Sequence, residues 1–244
     1  MGVPGTQGLT VAIDGTSGSG KSSTSRAVAN RFGLRYLDTG AMYRGAAWWM
    51  LNNSVDLADS AAIGQACDSF SIESTTDPNA PGISVDGTDV SAAIREDAVT
   101  SAVSAVSAVP EIRHRMVELQ RDAVKAACDL GNGIVVEGRD IGTVVLPDAD
   151  VKIYLVADPA ARAARRAEQD VEEGRAANVA NVEESLKARD KADSSRTTSP
   201  LTKADDAIQV DATYLNLEQV IDAVSALIIE NVPAAAELVG GSHA

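Results

Sequence analysis

Between Val11 and Thr24 the chain reads VAIDGTSGSGKSST, and this stretch decides most of what the rest can fold into. Gly15, four intervening residues, then Gly20-Lys21-Ser22 is the full P-loop spacing. The flanks suit it. Residues 9–13 are apolar and β-branched like a strand, and residues 23–32 read as a helix that Gly33 ends. A strand, loop and helix in that order turn backbone N–H groups inward around phosphate oxygens. Gly15, Gly18 and Gly20 permit this because a side chain would block the approach. The helix N-terminus adds partial positive charge, Lys21 reaches the β- and γ-phosphates, and the Ser22 hydroxyl can ligate Mg²⁺. Thr16, Ser17, Ser19 and Ser23 complete the expected contacts with the nucleotide. A nucleoside triphosphate site follows from this pattern; the fate of the phosphate does not.

Further along, strand-like and helix-like segments alternate. Residues 34–37 form a second short strand, and Asp38 or Thr39 can cap the helix carrying Arg44. Residues 60–95 change character, with two prolines in 75–82 and an Asp86-Gly87 hairpin signal, which predicts a small antiparallel insertion. Residues 96–109 carry Val99, Val103 and Val106 on one helical face, and Pro110 opens a fresh helix with Ile112, Met116, Leu119, Ala123 and Ala126 expected inward. The strand 133–137 ends in Glu137-Gly138-Arg139-Asp140, and ligands of a doubly wound sheet sit beyond such strand ends. Glu137 stands where a P-loop enzyme carries its second Mg²⁺-orienting acid. Another strand, 151–156, precedes a helix bearing Arg162, Arg165 and Arg166. The polar run 168–196 reads as a helical lid able to deliver arginines and exclude water. Residues 207–211 and 217–229 supply the last strand and helix. The class is α/β with a parallel sheet.

Charge narrows the partners. With 21 Lys and Arg against 35 Asp and Glu, the net charge of -14 argues against broad contact with nucleic acid or anionic membrane. An acidic chain that binds polyphosphate must gather its cations at the site. Cys67 and Cys128 have no metal spacing and form no disulfide framework, which fits a reducing cytoplasm. There is no membrane-length apolar run and no secretory leader. Met1-Gly2 meets the loose acylation pattern, but Pro4 and Gly5 make a flexible leader the simpler reading.

Taken together, Asp14-Gly15 with the P-loop, residues 37–44 (LDTGAMYR), 89–95 (DVSAAIR) and 137–145 (EGRDIGTVV) resemble the bacterial cytidylate kinase family, from about residue 9 to 229. The 38–44 and 137–145 blocks carry the specificity of that resemblance. It implies a P-loop NTPase fold: a parallel β-sheet core flanked by helices, a small antiparallel insertion that binds the monophosphate, and a helical lid. The core would take residues 9–59, 104–160 and 204–230, the insertion 60–103 and the lid 161–203, with a flexible leader at 1–8 and a flexible tail at 231–244. The implied reaction moves the γ-phosphoryl of ATP to CMP or dCMP with Mg²⁺, in a cytoplasmic enzyme expected to be a monomer.

By the same resemblance Arg44, Arg139 and Arg196 hold the CMP phosphate, with Thr39 in a position usually held by serine. Ser104, Arg113 and Asp140 read the cytosine, Arg189 and Asp193 meet the sugar hydroxyls, and Arg165 lies near ATP. Lys21, Arg139 and Arg196 form the catalytic set, and Ser22 and Glu137 the metal set. Ala192 and Ser194 stand where some relatives carry arginines. Cytosine itself offers one donor and two acceptors, which one carboxylate and two donors complement. Since the attacking phosphate oxygen is already anionic, no base is needed, and His114 and His243 are expected at the surface. Kinases of UMP, AMP or an alcohol would share the P-loop but not need the Ser104, Arg113 and Asp140 set. A GTP switch is the other class, echoed by Thr202-Lys203-Ala204-Asp205, although no apolar strand directly precedes that tetrad. Lys21→Ala is expected to abolish phosphoryl transfer while circular dichroism stays native; retention of most of the rate would remove Lys21 from the chemistry.

Overall fold

The computed structural model describes residues 8–172 and 179–239. Its centre is a five-stranded parallel sheet in the order β2-β6-β1-β7-β8, built from β1 (Thr10–Gly15), β2 (Arg35–Asp38), β6 (Ile134–Glu137), β7 (Val151–Val156) and β8 (Ile208–Asp211). The inner strands β1, β6 and β7 are mostly apolar because helices cover both faces of the sheet, whereas the edge strands β2 and β8 carry Arg35, Asp38, Gln209 and Asp211. Side chains alternate between the faces. Ala12, Leu37, Ile134 and Val136 join one core, and Val11, Ile13, Tyr36 and Val135 join the other. α2 (Thr39–Asn52), α4 (Asp97–Ala108) and α5 (Pro110–Asp129) pack the first face; α1 (Lys21–Phe32) and α8 (Leu217–Asn231) pack the second.

β1 lies between β6 and β7, so the chain leaves the sheet in opposite directions on its two sides and opens a crevice at the carboxyl ends. Register sharpens this. Ile13 and Asp38 both align with Glu137, so the P-loop, the start of α2 and the 138–145 segment emerge side by side. Asp38 caps α2 by accepting the Ala41 N–H at 2.8 Å. The insertion holds α3 (Ser60–Gln65) and an antiparallel sheet of β3 (Ile72–Ser74), β4 (Ile83–Val85) and β5 (Thr88–Asp89). Asp86 and Gly87 both take positive φ, 50° and 73°, as a two-residue primed turn requires. The polar run forms α6 (Pro159–Glu172) and α7 (Val179–Ser195). No helix among the described residues is long and apolar enough to cross a membrane.

Several expectations need correction. Residues 141–145 form a π-helical turn that no apolar period announces. The inward face of α5 is Ile112, Arg113, Met116, Val117, Gln120, Val124 and Ala127; Ala126 is exposed. A reading that counts only apolar residues misplaces this face because two of its members are polar. The boundary drawn at 103/104 falls inside α4, and that at 160/161 inside the first turn of α6. The tail is not flexible throughout: residues 233–238 form a 3-10 turn with Ala235 fully buried in the second core. The leader through residue 7, the lid residues 173–178, and 240–244 with His243 lie outside the described residues. His114 is exposed as expected.

The P-loop's tightest constraint sits at Gly15. It has φ 146°, and a Cβ there would stand 1.9 Å from the Leu155 carbonyl oxygen on β7. Gly15→Ala is therefore expected to lower folding stability by ~2 kcal/mol or more, read by urea denaturation; an unchanged midpoint would contradict the packing.

Candidate active site

The phosphate cradle is assembled from the ends of three strands. Lys21 opens α1, and its ammonium donates to the Thr16 carbonyl and to Ser19 Oγ at 3.4 Å. Burial, reinforced by the Arg139 guanidinium, pulls the Lys21 ammonium well below the usual lysine range, and Glu137, Asp190 and Asp14 oppose that pull. Glu137, at the end of β6, is buried; burial and the nearby Asp38 raise its carboxyl, while Tyr36 O–H, Lys21 and Ser22 draw it back. A buried carboxylate interacting with the Ser22 hydroxyl beside a phosphate cradle is a hard-oxygen donor set that fits Mg²⁺ completed by substrate phosphates. The Ser17 N–H donates to Asp190 on α7 at 2.9 Å.

At the other end of the cleft, Arg113 and Asp140 form a buried ion pair. Arg113 Nη1 also donates to the Ser107 carbonyl at 3.1 Å, and its guanidinium lies 5.1 Å over the Tyr43 ring. Burial pushes the Tyr43 phenol up to about 12, so it stays a neutral hydroxyl. Arg113 Nε, Arg44 Nε and Arg196 Nε are buried without a protein partner. Three such arginines around one cleft have the form of a polar ligand's site. Arg44 pairs with Asp38 at 3.0 Å, and Thr39 Oγ1 donates to the Glu137 carbonyl at 2.7 Å. Ser104 is half-buried on α4 and lines the same cleft.

The helical pair α6–α7 closes the roof. Asp193 is buried and accepts from Arg139 Nε at 3.1 Å, with Arg196 Nη1 at 3.3 Å. Those two arginines are thus gathered by one carboxylate. Burial and the neighbouring Arg139 lower Arg189 to about 10. Arg165 Nη2 donates to the Ala212 and Leu215 carbonyls at 2.5 and 3.0 Å, fixing the loop after β8 that borders the cleft. The cleft encloses about 1600 Å³ and is lined by ten of the chain's 21 Lys and Arg side chains against six acids. That inverts the charge of the whole molecule.

Four contributors were not assigned a role by sequence reasoning: Asp14, Tyr36, Arg162 and Asp190. Asp14 is buried at the end of β1 and accepts the Ile141 and Gly142 N–H groups at 2.9 and 2.8 Å, which anchors the π turn. An acid directly before a P-loop was the one available signal. Burial pushes its carboxyl up to about 6, against 3.8 in the unfolded chain. The folded state therefore binds the extra proton between those values, and Asp14's contribution to stability falls as pH rises through the window. The stability difference between wild type and Asp14→Asn is expected to shrink by ~3 kcal/mol from pH 4 to pH 7, at 1.36 kcal/mol per pH unit, in denaturation series. A difference that grows with pH would refute the assignment.

The comparisons with known proteins agree with this geometry. The family profile described as Cytidylate kinase matches residues 11–230. The chain is 59% identical over 220 residues to the Cytidylate kinase of Streptomyces avermitilis, covering 90% of this chain and 92% of that one. It is 57% identical over 218 residues to that of Streptomyces griseus, covering 89% and 91%, and 52% identical over 224 residues to that of Nocardia farcinica, covering 92% and 95%. A parallel-sheet P-loop fold, a cation-lined cleft and a sequence match across nine-tenths of the chain together make this protein a member of the cytidylate kinase family.

Proposed function

We propose that the chain transfers the γ-phosphoryl group of ATP to CMP or dCMP, giving ADP and CDP or dCDP. One observation carries the reading: the buried Arg113–Asp140 pair shares a single cleft with the P-loop. A nonbridging oxygen of the CMP phosphate forms the bond to Pγ. The bond from Pγ to the β–γ bridging oxygen breaks, and its electron pair leaves on ADP. The attacking oxygen is already anionic before the bond forms, so no base is needed and the protein's work is alignment and charge neutralisation.

In this reading the P-loop residues 15–23 and Lys21 hold the ATP phosphates, and Arg165 stands near the donor nucleotide. Arg44, Arg139 and Arg196 hold the acceptor phosphate with Thr39, while Arg189 and Asp193 meet the sugar. Ser22 and Glu137 would hold Mg²⁺, which when bound offsets charge on the transferring group. Asp140 accepts from the cytosine amino group, and Arg113 and Ser104 donate to its acceptors. The ion pair with Arg113 supports this, because it orients the Asp140 carboxylate in the cleft. Uracil would set a carbonyl lone pair against that carboxylate, a mismatch of a few kcal/mol at about 1.4 kcal/mol per tenfold. Two free cysteines fit a reducing compartment such as the cytoplasm, and one chain contains the whole cleft, which supports a monomer.

The test is ADP formation from ATP and Mg²⁺ with CMP, dCMP, UMP, AMP or no acceptor. Fast turnover with CMP and dCMP, at least about tenfold slower turnover with UMP, and little without acceptor is the expected result. Equal rates with UMP would discard the Asp140 argument, and hydrolysis indifferent to acceptor would discard the kinase.

A further inference from the structure

One contact between the roof and the P-loop lies outside the ligand roles above. The Ser17 peptide is held from both ends by the α6–α7 pair. Its N–H donates to Asp190 Oδ1 at 2.9 Å, and its carbonyl accepts from Arg162 Nη1 at 2.7 Å. The same Nη1 lies 2.5 Å from Asp190 Oδ2, and Arg162 Nε donates to the Ala157 carbonyl at 3.0 Å. Arg162 is only 4% exposed. Gly18 has φ 75°, and a Cβ built on it would lie 3.3 Å from Leu186 Cδ1 and 3.4 Å from Arg162 Cβ. The roof thus seats on the P-loop through a polar clasp flanked by an apolar contact.

We propose that Asp190 is a positioning residue: with Arg162 it sets the register of α7 on the P-loop, and through it the height of Arg189, Asp193 and Arg196 over the phosphates. Helical geometry makes this direct. Asp190 follows Arg189 by one residue and precedes Asp193 by about one turn, so its seat fixes both within ~5 Å along the axis. Asp193 then gathers Arg139 and Arg196. A charge pair seated on a peptide group, with Arg162 buried and Asp190 half-buried, resists sliding, because any shift leaves a donor or an acceptor unpaired. An apolar contact such as Leu186 on Gly18 lacks that directional preference. The inference rests on the proposed donor and acceptor sites, since it concerns how the two are held in register.

The experiment is steady-state kinetics with ATP, Mg²⁺ and CMP on wild type, Asp190→Ala, Asp190→Asn and the Arg162→Ala, Asp190→Ala double variant, with thermal melts on each. Asp190→Ala is expected to lower kcat between about thirtyfold and a hundredfold while KM for ATP moves less than about threefold, as misplacement without loss of donor contacts predicts. Asp190→Asn, which keeps an oxygen for the Ser17 N–H, should recover part of that loss. The double variant should be no slower than Asp190→Ala, as two members of one unit behave. Overturning results would be kcat within twofold of wild type for Asp190→Ala, or a loss fully matched by unfolding in the melts. Wild-type turnover of CMP is the separate control on the functional reading; if wild type uses another acceptor, the same variants are compared with that acceptor.

Discussion

The P-loop and the Arg139–Asp140 segment of the cleft are joined by one buried carboxylate. Asp14 ends β1 directly before the P-loop, and it captures two N–H groups of the π turn that follows Arg139 and Asp140. Neither segment could shift without leaving those groups unpaired away from water, which is a penalty of about 1–3 kcal/mol each. The same turn donates the Leu146 N–H to the Ile141 carbonyl at 2.7 Å, an i to i+5 bond that widens the helix just after the cleft residues Arg139 and Asp140. A π turn at such a place is a local irregularity held by tertiary contacts.

Around that floor the molecule manages its charge. The chain as a whole repels anions, yet its substrates carry several negative charges. It resolves the conflict by concentrating arginines in one cleft and tying them with a few carboxylates: Asp38 to Arg44, Asp140 to Arg113, Asp193 to Arg139 and Arg196. Each pair orients a guanidinium and limits the mutual repulsion of the cluster. Buried arginine Nε atoms without a protein partner remain beside these pairs, at Arg44, Arg113 and Arg196.

Much of this was legible before any fold was drawn. The P-loop, the 38–44 block and the 137–145 block lie in short contiguous stretches, so their residue types and spacing expose their chemistry directly. Alternating strands and helices gave the parallel sheet, and Pro110, Gly33 and Asp86-Gly87 marked ends and turns through local backbone rules. The errors have local causes too. Arg113 and Gln120 disguised the inner face of α5, and small residues disguised the packed 3-10 turn around Ala235.

What the amino-acid order determined by itself was the class of fold, the phosphate site and the identity of most polar groups near it, because each depends on neighbours a few positions away. Tertiary structure alone decided which groups meet. Asp14 finds its partners 127 and 128 residues away, Tyr36 reaches Glu137 across 101, and Ser17 reaches Asp190 across 173. No spacing rule connects such positions. They come together because the parallel sheet brings the carboxyl ends of its strands to one edge, where burial favours the pairing of polar groups.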